Sequence, residues 1–181
     1  MRNVRFSSNV WLRARSGLVW ASLLTLPATT AALPALAAGE SGTWHAAGSL
    51  LQQRDNGQTA TLLPDGTVLV AGGQDSAGAI TAATEIFHPA DSTWVKGPSM
   101  GGPRLGHTAV RLDDGRVLAI GGLSAFGTLV NTPLPTAEIY DAAAQAWSRT
   151  GVMPTAVIQP AAVVLPDSRV LAVGGSPNGT I

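Results

Sequence analysis

The 181-residue sequence has no cysteine, a single tyrosine and only 12% charged residues. Without cysteine there can be no disulfide, zinc–thiolate site, cysteine nucleophile or lipoprotein anchor, so the fold relies on packing and backbone pairing. Cys-x-x-Cys, P-loop and Gly-x-Ser-x-Gly motifs are missing too. Histidine is scarce: His45, His88 and His107 stand 43 and 19 residues apart, which is no metal-ligand spacing. No catalytic residue, metal site or cofactor is therefore expected. The formal net charge of zero averages two unlike segments. Arg2, Arg5, Arg13 and Arg15 crowd the first 15 residues, where no acid occurs, whereas beyond Ala37 there are 7 Lys/Arg against 11 Asp/Glu, a net of −4. That mild acidity offers no basic patch to nucleic acid or an anionic membrane.

The N-terminus reads as a secretory signal. An Arg-rich start precedes an apolar core at 17–26, closed by Pro27, and Ala35-Leu36-Ala37 puts small residues at both ends of a cleavage triplet. Pro27 and Pro34 interrupt the uncharged run 16–39, so its continuous apolar part is about half a bilayer in helical rise. The expectation is a helical signal peptide over 1–37, cleavage near Ala38, export to the periplasm or medium, and no stable membrane insertion afterwards.

What the sequence has in quantity is glycine, 21 residues of it, and much of it recurs in phase. Gly pairs fall at Gly72-Gly73, Gly121-Gly122 and Gly174-Gly175; tryptophans fall at Trp44, Trp94 and Trp147. Both series repeat every 49 to 53 residues. Glu85-Ile86-Phe87 and Glu138-Ile139-Tyr140 each precede a tryptophan by nine residues, and Met100 and Met153 each follow one by six. Such a period marks a repeat architecture. Each unit reads as four short strands: a partly apolar strand, an Asp-Gly turn, an apolar run into the Gly pair, a Glu-Ile-aromatic strand, and a strand bearing the tryptophan. Four short strands cannot bury both faces alone, so neighbouring sheets should stack, with the tryptophans between them. The third unit has Asp167-Ser168 where the others have Asp-Gly, at a cost of about 1 kcal/mol if the turn needs positive φ.

Arg104-x-x-His107-Thr-Ala, Asp114-Gly115, Gly121-Gly122, Ala137-Glu-Ile-Tyr-Asp141, Trp147 and Met153 together resemble a kelch motif. Arg54, Asp65-Gly66, Gly72-Gly73, Glu85-Ile-Phe87 and Trp94 repeat it. The resemblance implies an all-β fold, an incomplete kelch-type β-propeller over 38–181. Its units lie at about 51–100, 101–153 and 154–181, the last half built, with a lone closing strand at 43–50. Two blades are complete, so the expected object is an open arc, a fragment of a longer propeller, with self-association through open blade edges as an outcome.

Propellers of this kind are mostly binding scaffolds, and the leading expectation is an exported, non-catalytic module for a protein or glycan partner. The alternative is the propeller portion of a secreted galactose oxidase-like or other carbohydrate-active enzyme, its chemistry outside these residues. That copper site needs a Cys-linked Tyr, a second Tyr and His ligands, which one Tyr and no Cys cannot supply. Recognition is expected on the face carrying the connections between strands 2 and 3 and between units, where the second unit has the longer insert. Asp75, Arg104, Phe126 and Asn131 are the candidate binding residues there.

Overall fold

Short apolar strands separated by glycine turns pair antiparallel with their sequence neighbours, because a tight turn returns the chain alongside itself. A computed structural model describes residues 9–13, 44–126 and 129–177. Its strands in chain order are β1 (Asn9–Arg13), β2 (Trp44–Ser49), β3 (Thr59–Leu62), β4 (Val68–Ala71), β5 (Thr84–His88), β6 (Thr93–Lys96) and β7 (Thr108–Arg111). They continue with β8 (Val117–Ile120), β9 (Leu123–Phe126), β10 (Leu129–Pro133), β11 (Thr136–Asp141), β12 (Ala146–Val152), β13 (Ala161–Val164) and β14 (Val170–Val173). No helix occurs among the described residues, and the sheets are all antiparallel, as in a kelch β-propeller. Two sheets have four strands, β3-β4-β5-β6 and β7-β8-β11-β12, and β13-β14 forms a pair.

Two segments are strands beyond those the repeat leads one to expect. Asn9–Arg13, ahead of the apolar core 17–26 where a signal-peptide helix is expected, is antiparallel to β2. The apolar Val10-Trp11-Leu12 at its centre has the β-branched and aromatic character that strands favour. The remainder of 1–37 lies outside the described residues. The insert after Gly122 is also more than a loop: β9 and β10 pair into a two-stranded sheet of their own, separate from the second four-stranded sheet.

Register defines the stacking. Side chains paired across strands share a face, so Leu69 and Ile86 lie on one side of the first sheet. Val117, Tyr140 and Trp147 share the opposite side of the second. These two faces meet, with Leu63, in the main core cluster. The tryptophans are half-buried rather than fully buried between sheets. Each leans on the aromatic of the neighbouring strand, Phe87–Trp94 at 4.9 Å and Tyr140–Trp147 at 5.3 Å between ring centroids. Because the Trp-bearing strands are outermost, one edge of each indole stays in solvent.

The Gly pairs are where stacked sheets touch. A Cβ on Gly72 would stand 2.4 Å from the Arg104 carbonyl oxygen, and one on Gly121 would stand 2.4 Å from that of Val157. No side chain fits there. The next glycine of each pair donates its N–H to those same oxygens, Gly73 to Arg104 and Gly122 to Val157, at 2.8 and 2.9 Å. Gly106 N–H likewise donates to the Gly57 oxygen, and Gln159 N–H to that of Gly106. Backbone bonds therefore run from unit to unit along the inner strands.

The turns between the first and second strands close alike. Leu63, Leu112 and Leu165 each accept from the residue three on, and that residue has positive φ: 85° at Gly66, 87° at Gly115 and 63° at Ser168. Ser168 thus sits in the strained conformation anticipated for it, and its hydroxyl donates to Asp113 Oδ2 of the neighbouring turn at 2.6 Å. Replacing Ser168 by Gly should stabilise the protein, by up to about 1 kcal/mol less the small worth of that exposed hydrogen bond. Gly115→Ala should destabilise by about 1–3 kcal/mol, because a Cβ there meets Pro64 Cγ at 2.6 Å as well as the φ restriction. Urea midpoints of the two variants against the parent check both signs.

Candidate functional site

Arg54 and Arg104 arrive on the segments leading into β3 and β7, and both turn inward. Arg104 Nη2 lies 2.8 Å from Glu138 Oε1, with both side chains 3% exposed. Its Nε donates to the same oxygen, and its Nη1 donates to the carbonyls of Gly121 and Thr136 at 2.9 Å each. Glu138 Oε2 accepts the Gly101 N–H at 2.6 Å. The first unit repeats this set. Arg54 Nη2 meets Glu85 Oε1 at 2.9 Å, its Nη1 donates to the Gly72 and Ala83 carbonyls, and Glu85 Oε2 takes the Leu51 N–H at 2.6 Å. Each guanidinium joins the end of the second strand to the start of the third.

Arg54 reaches this position from one residue further back than Arg104. Leu105 and Leu123 exchange both backbone bonds, whereas Gln74 accepts from Asp55 N–H and donates to the Asn56 oxygen. This one-residue bulge absorbs the offset. In the third unit Val157 stands where Arg104 does, as its carbonyl bond to Gly122 shows.

His107 connects the two large sheets. Its Nε2 and Thr59 Oγ1 share a hydrogen bond of 2.8 Å, and its Cε1 lies 2.9 Å from where a Gly72 Cβ would be. Nδ1 is buried without a partner among the described residues. Burial, and then the Arg104 charge, push its pKa down to about 3, so the ring is neutral at physiological pH.

The expected binding residues separate on inspection. Arg104 is 2% exposed and committed to Glu138, so its place is inside the sheet and not on an open face. An arginine between two Gly- and Pro-bearing stretches reads as surface; its carboxylate partner is 34 residues away. Asp75 does lie in the loop after β4, half-buried, but its Oδ1 accepts the N–H groups of Ala77 and Ala79 at 2.9 Å. It shapes that loop. Phe126 and Asn131 fall on β9 and β10, and their side chains lie outside the described residues. Near Asp75, the segment before β3 exposes Gln53, Asp55 and Asn56, and Gln53 Nε2 donates to Asp55 Oδ1 at 3.2 Å. The polar run 52–56 signals this, since the second unit has Pro103-Arg104-Leu105 instead.

On the opposite face an open cleft of about 440 Å³ is lined by Pro64, Arg111, Leu112, Asp113 and Gly115. Its polar groups are engaged, Arg111 with the Leu62 carbonyl and Asp113 with Ser168. Among the described residues no three His, Asp or Glu side chains gather as metal ligands would. Nor is any helix long and apolar enough to cross a membrane.

Two outcomes follow. Arg104→Ala should cost about 3–5 kcal/mol by stranding buried Glu138. Arg104→Lys should recover little of this, because one ammonium cannot reach two carbonyls and a carboxylate in the plane of the fork. Chemical denaturation of the three proteins reads it. The second concerns acid. His107 is held down to about 3 in the folded state, against the ordinary 6.5 of a histidine, so its unfolded form takes a proton first. Stability is complete above about pH 6.5 and falls by up to about 1.4 kcal/mol per pH unit below it, levelling near the folded value. Between pH 6.5 and 5 most carboxylates stay ionised, so His107→Gln should flatten that stretch of the unfolding profile. Gln58 already fills the corresponding place in the first unit.

Compared with known proteins, the chain has no match among curated sequences. A family model does match: the one described as Kelch motif covers residues 58–101, the whole of the first four-stranded sheet and Met100 after it. With the same strands, Gly pair and buried Arg–Glu pair standing again in the second sheet, that match supports a kelch-repeat family for this chain.

Proposed function

We propose that the protein is an exported propeller module that binds a protein partner and performs no catalysis itself. Each four-stranded sheet is a blade on this reading. Binding uses the end of the sheets where the segments leading into β3 and β7 and the loops after β4 and β8 come together. The observation that carries it is a contrast between the two ends. Turns at one end are short, alike and internally bonded, as Asp114 is to Arg116 and Asp167 to Arg169 at 2.6 and 2.7 Å. At the other end the connections differ from unit to unit: a five-residue loop capped by Asp75, and the β9–β10 hairpin. Variable connections on a rigid frame are where recognition resides. Export is supported by the Arg-rich start, apolar core and Ala35-Leu36-Ala37.

Photo-crosslinkers at Gln53 and Ser76 should join a discrete protein in the organism's envelope or medium fraction, while the same group at Asp114 or Asp167 should not. Equal labelling from both ends would reject the face assignment. Sequencing the N-terminus of the protein outside the cytoplasm should give Ala38 or a close neighbour. An intact Met1 in a membrane fraction would reject cleavage.

A further inference from the structure

We infer that the protein partner is basic where it meets the recognition end, presenting Lys or Arg side chains to Asp55 and Asp75. This rests on the reading of that end as the binding face and adds the chemistry of what it takes. Gln74 is where the two carboxylates come together. Its carbonyl accepts the Asp55 N–H at 2.8 Å, its own N–H donates to the Asn56 oxygen at 3.0 Å, and Asp75 follows it in the chain. Asp55 is therefore the extra residue of the bulge. At the matching crossings Leu105 and Leu123 exchange both bonds, and so do Ile158 and Ser176, which leaves no counterpart to Asp55 in either later unit. A bulge re-aims a side chain. Arg54 goes inward to Glu85, and Asp55 is exposed, its Oδ1 accepting from Gln53 Nε2 at 3.2 Å. Asp75 does not recur either: counted from the same crossing, Ser124 holds its place in the second unit and is 1% exposed. The groups that build each sheet repeat from unit to unit, and these two carboxylates do not.

Their charge is not balanced locally. In the lead-in segments and in the connections after β4 and β8, the cations among the described residues are Arg54 and Arg104, both buried against Glu85 and Glu138. The exposed charge of these segments is that of Asp55 and Asp75, of one sign. Lys96 and Arg149 lie out on β6 and β12. At the opposite end Asp114 and Asp167 each have an arginine two residues on. No third His, Asp or Glu joins Asp55 and Asp75 as a metal ion would require, and a Lys or Arg side chain needs none. Exposed Gln52, Gln53, Asn56 and Ser76 surround the pair with amide and hydroxyl groups. Asp75 is fixed beforehand by the Ala77 and Ala79 N–H groups, so little ordering is left for binding to impose. An uncompensated pair of this kind steers an oppositely charged partner and selects against an acidic one.

The full chain with a photo-crosslinker at Ser76 tests this with two short probe peptides, one alternating Lys with Gly and one alternating Glu with Gly. The Lys peptide should label the protein, less so as salt rises, and the Glu peptide should not. Asp55→Asn with Asp75→Asn should lower labelling by up to roughly tenfold, the worth of two exposed charge pairs. Asn keeps an oxygen for the Ala77 and Ala79 N–H groups, so the loop persists. Asp114→Asn with Asp167→Asn removes the same charge from the opposite end and should leave labelling as it was. Equal labelling by the two peptides, or labelling that ignores the Asp55 and Asp75 substitutions, overturns the inference. The same variants are then exposed to the organism's envelope or medium fraction. A partner captured from Ser76 whether or not the two carboxylates are present keeps the binding face and overturns its charge requirement; capture of nothing removes both.

Discussion

Close approach of backbone to backbone at the inner strands is the constraint on which the rest of the structure depends. The carbonyls of Arg104 and Val157 come within 2.4 Å of where a Cβ would stand on Gly72 and Gly121. They also receive hydrogen bonds from the glycines that follow. Once the inner strands are that near, the outer strands must fan apart, because side chains of ordinary size fill the remaining gap. The small inner residues Ala71 and Ala119 and the large outer ones Tyr140 and Trp147 follow from this taper. So does the partial exposure of both tryptophans, which lie where the wedge is widest.

The buried Arg–Glu pairs answer a problem that the Gly pair creates. A chain that leaves the second strand through two positive-φ glycines turns the carbonyl of the first, Gly72 or Gly121, away from the backbone donors of the neighbouring strand. Arg104 collects the Gly121 and Thr136 carbonyls in one guanidinium, and Glu138 balances its charge while accepting the Gly101 N–H. The geometry fixes the guanidinium and leaves the backbone some latitude, as Arg54 shows from one residue further back.

Periodicity made most of this legible. The Gly pairs, the turns and the Glu-Ile-aromatic strands all lie where their spacing places them, since each depends on neighbours within a few residues. The strained φ of Ser168 was readable for the same reason. The role of Arg104 was not, because burial depends on a partner 34 residues away and arginine by itself signals surface. The hairpin β9–β10 was hidden by its composition: Gly127 and Pro133 read as loop, and only pairing reveals strands. Exposed Gln53, Asp55 and Asn56 stand out less, because polar residues beside a structural arginine carry no repeat signal of their own.

Both buried ion pairs close inside their own units: Arg54 with Glu85, Arg104 with Glu138. The seams between units rest mainly on main-chain atoms, glycine and small apolar surfaces, which many sequences satisfy. A gene segment encoding one unit can therefore be copied or recombined without matching the chemistry of its new neighbours. At Val157 the third unit lacks the arginine of the other two, and its backbone bond to Gly122 across the seam is made all the same.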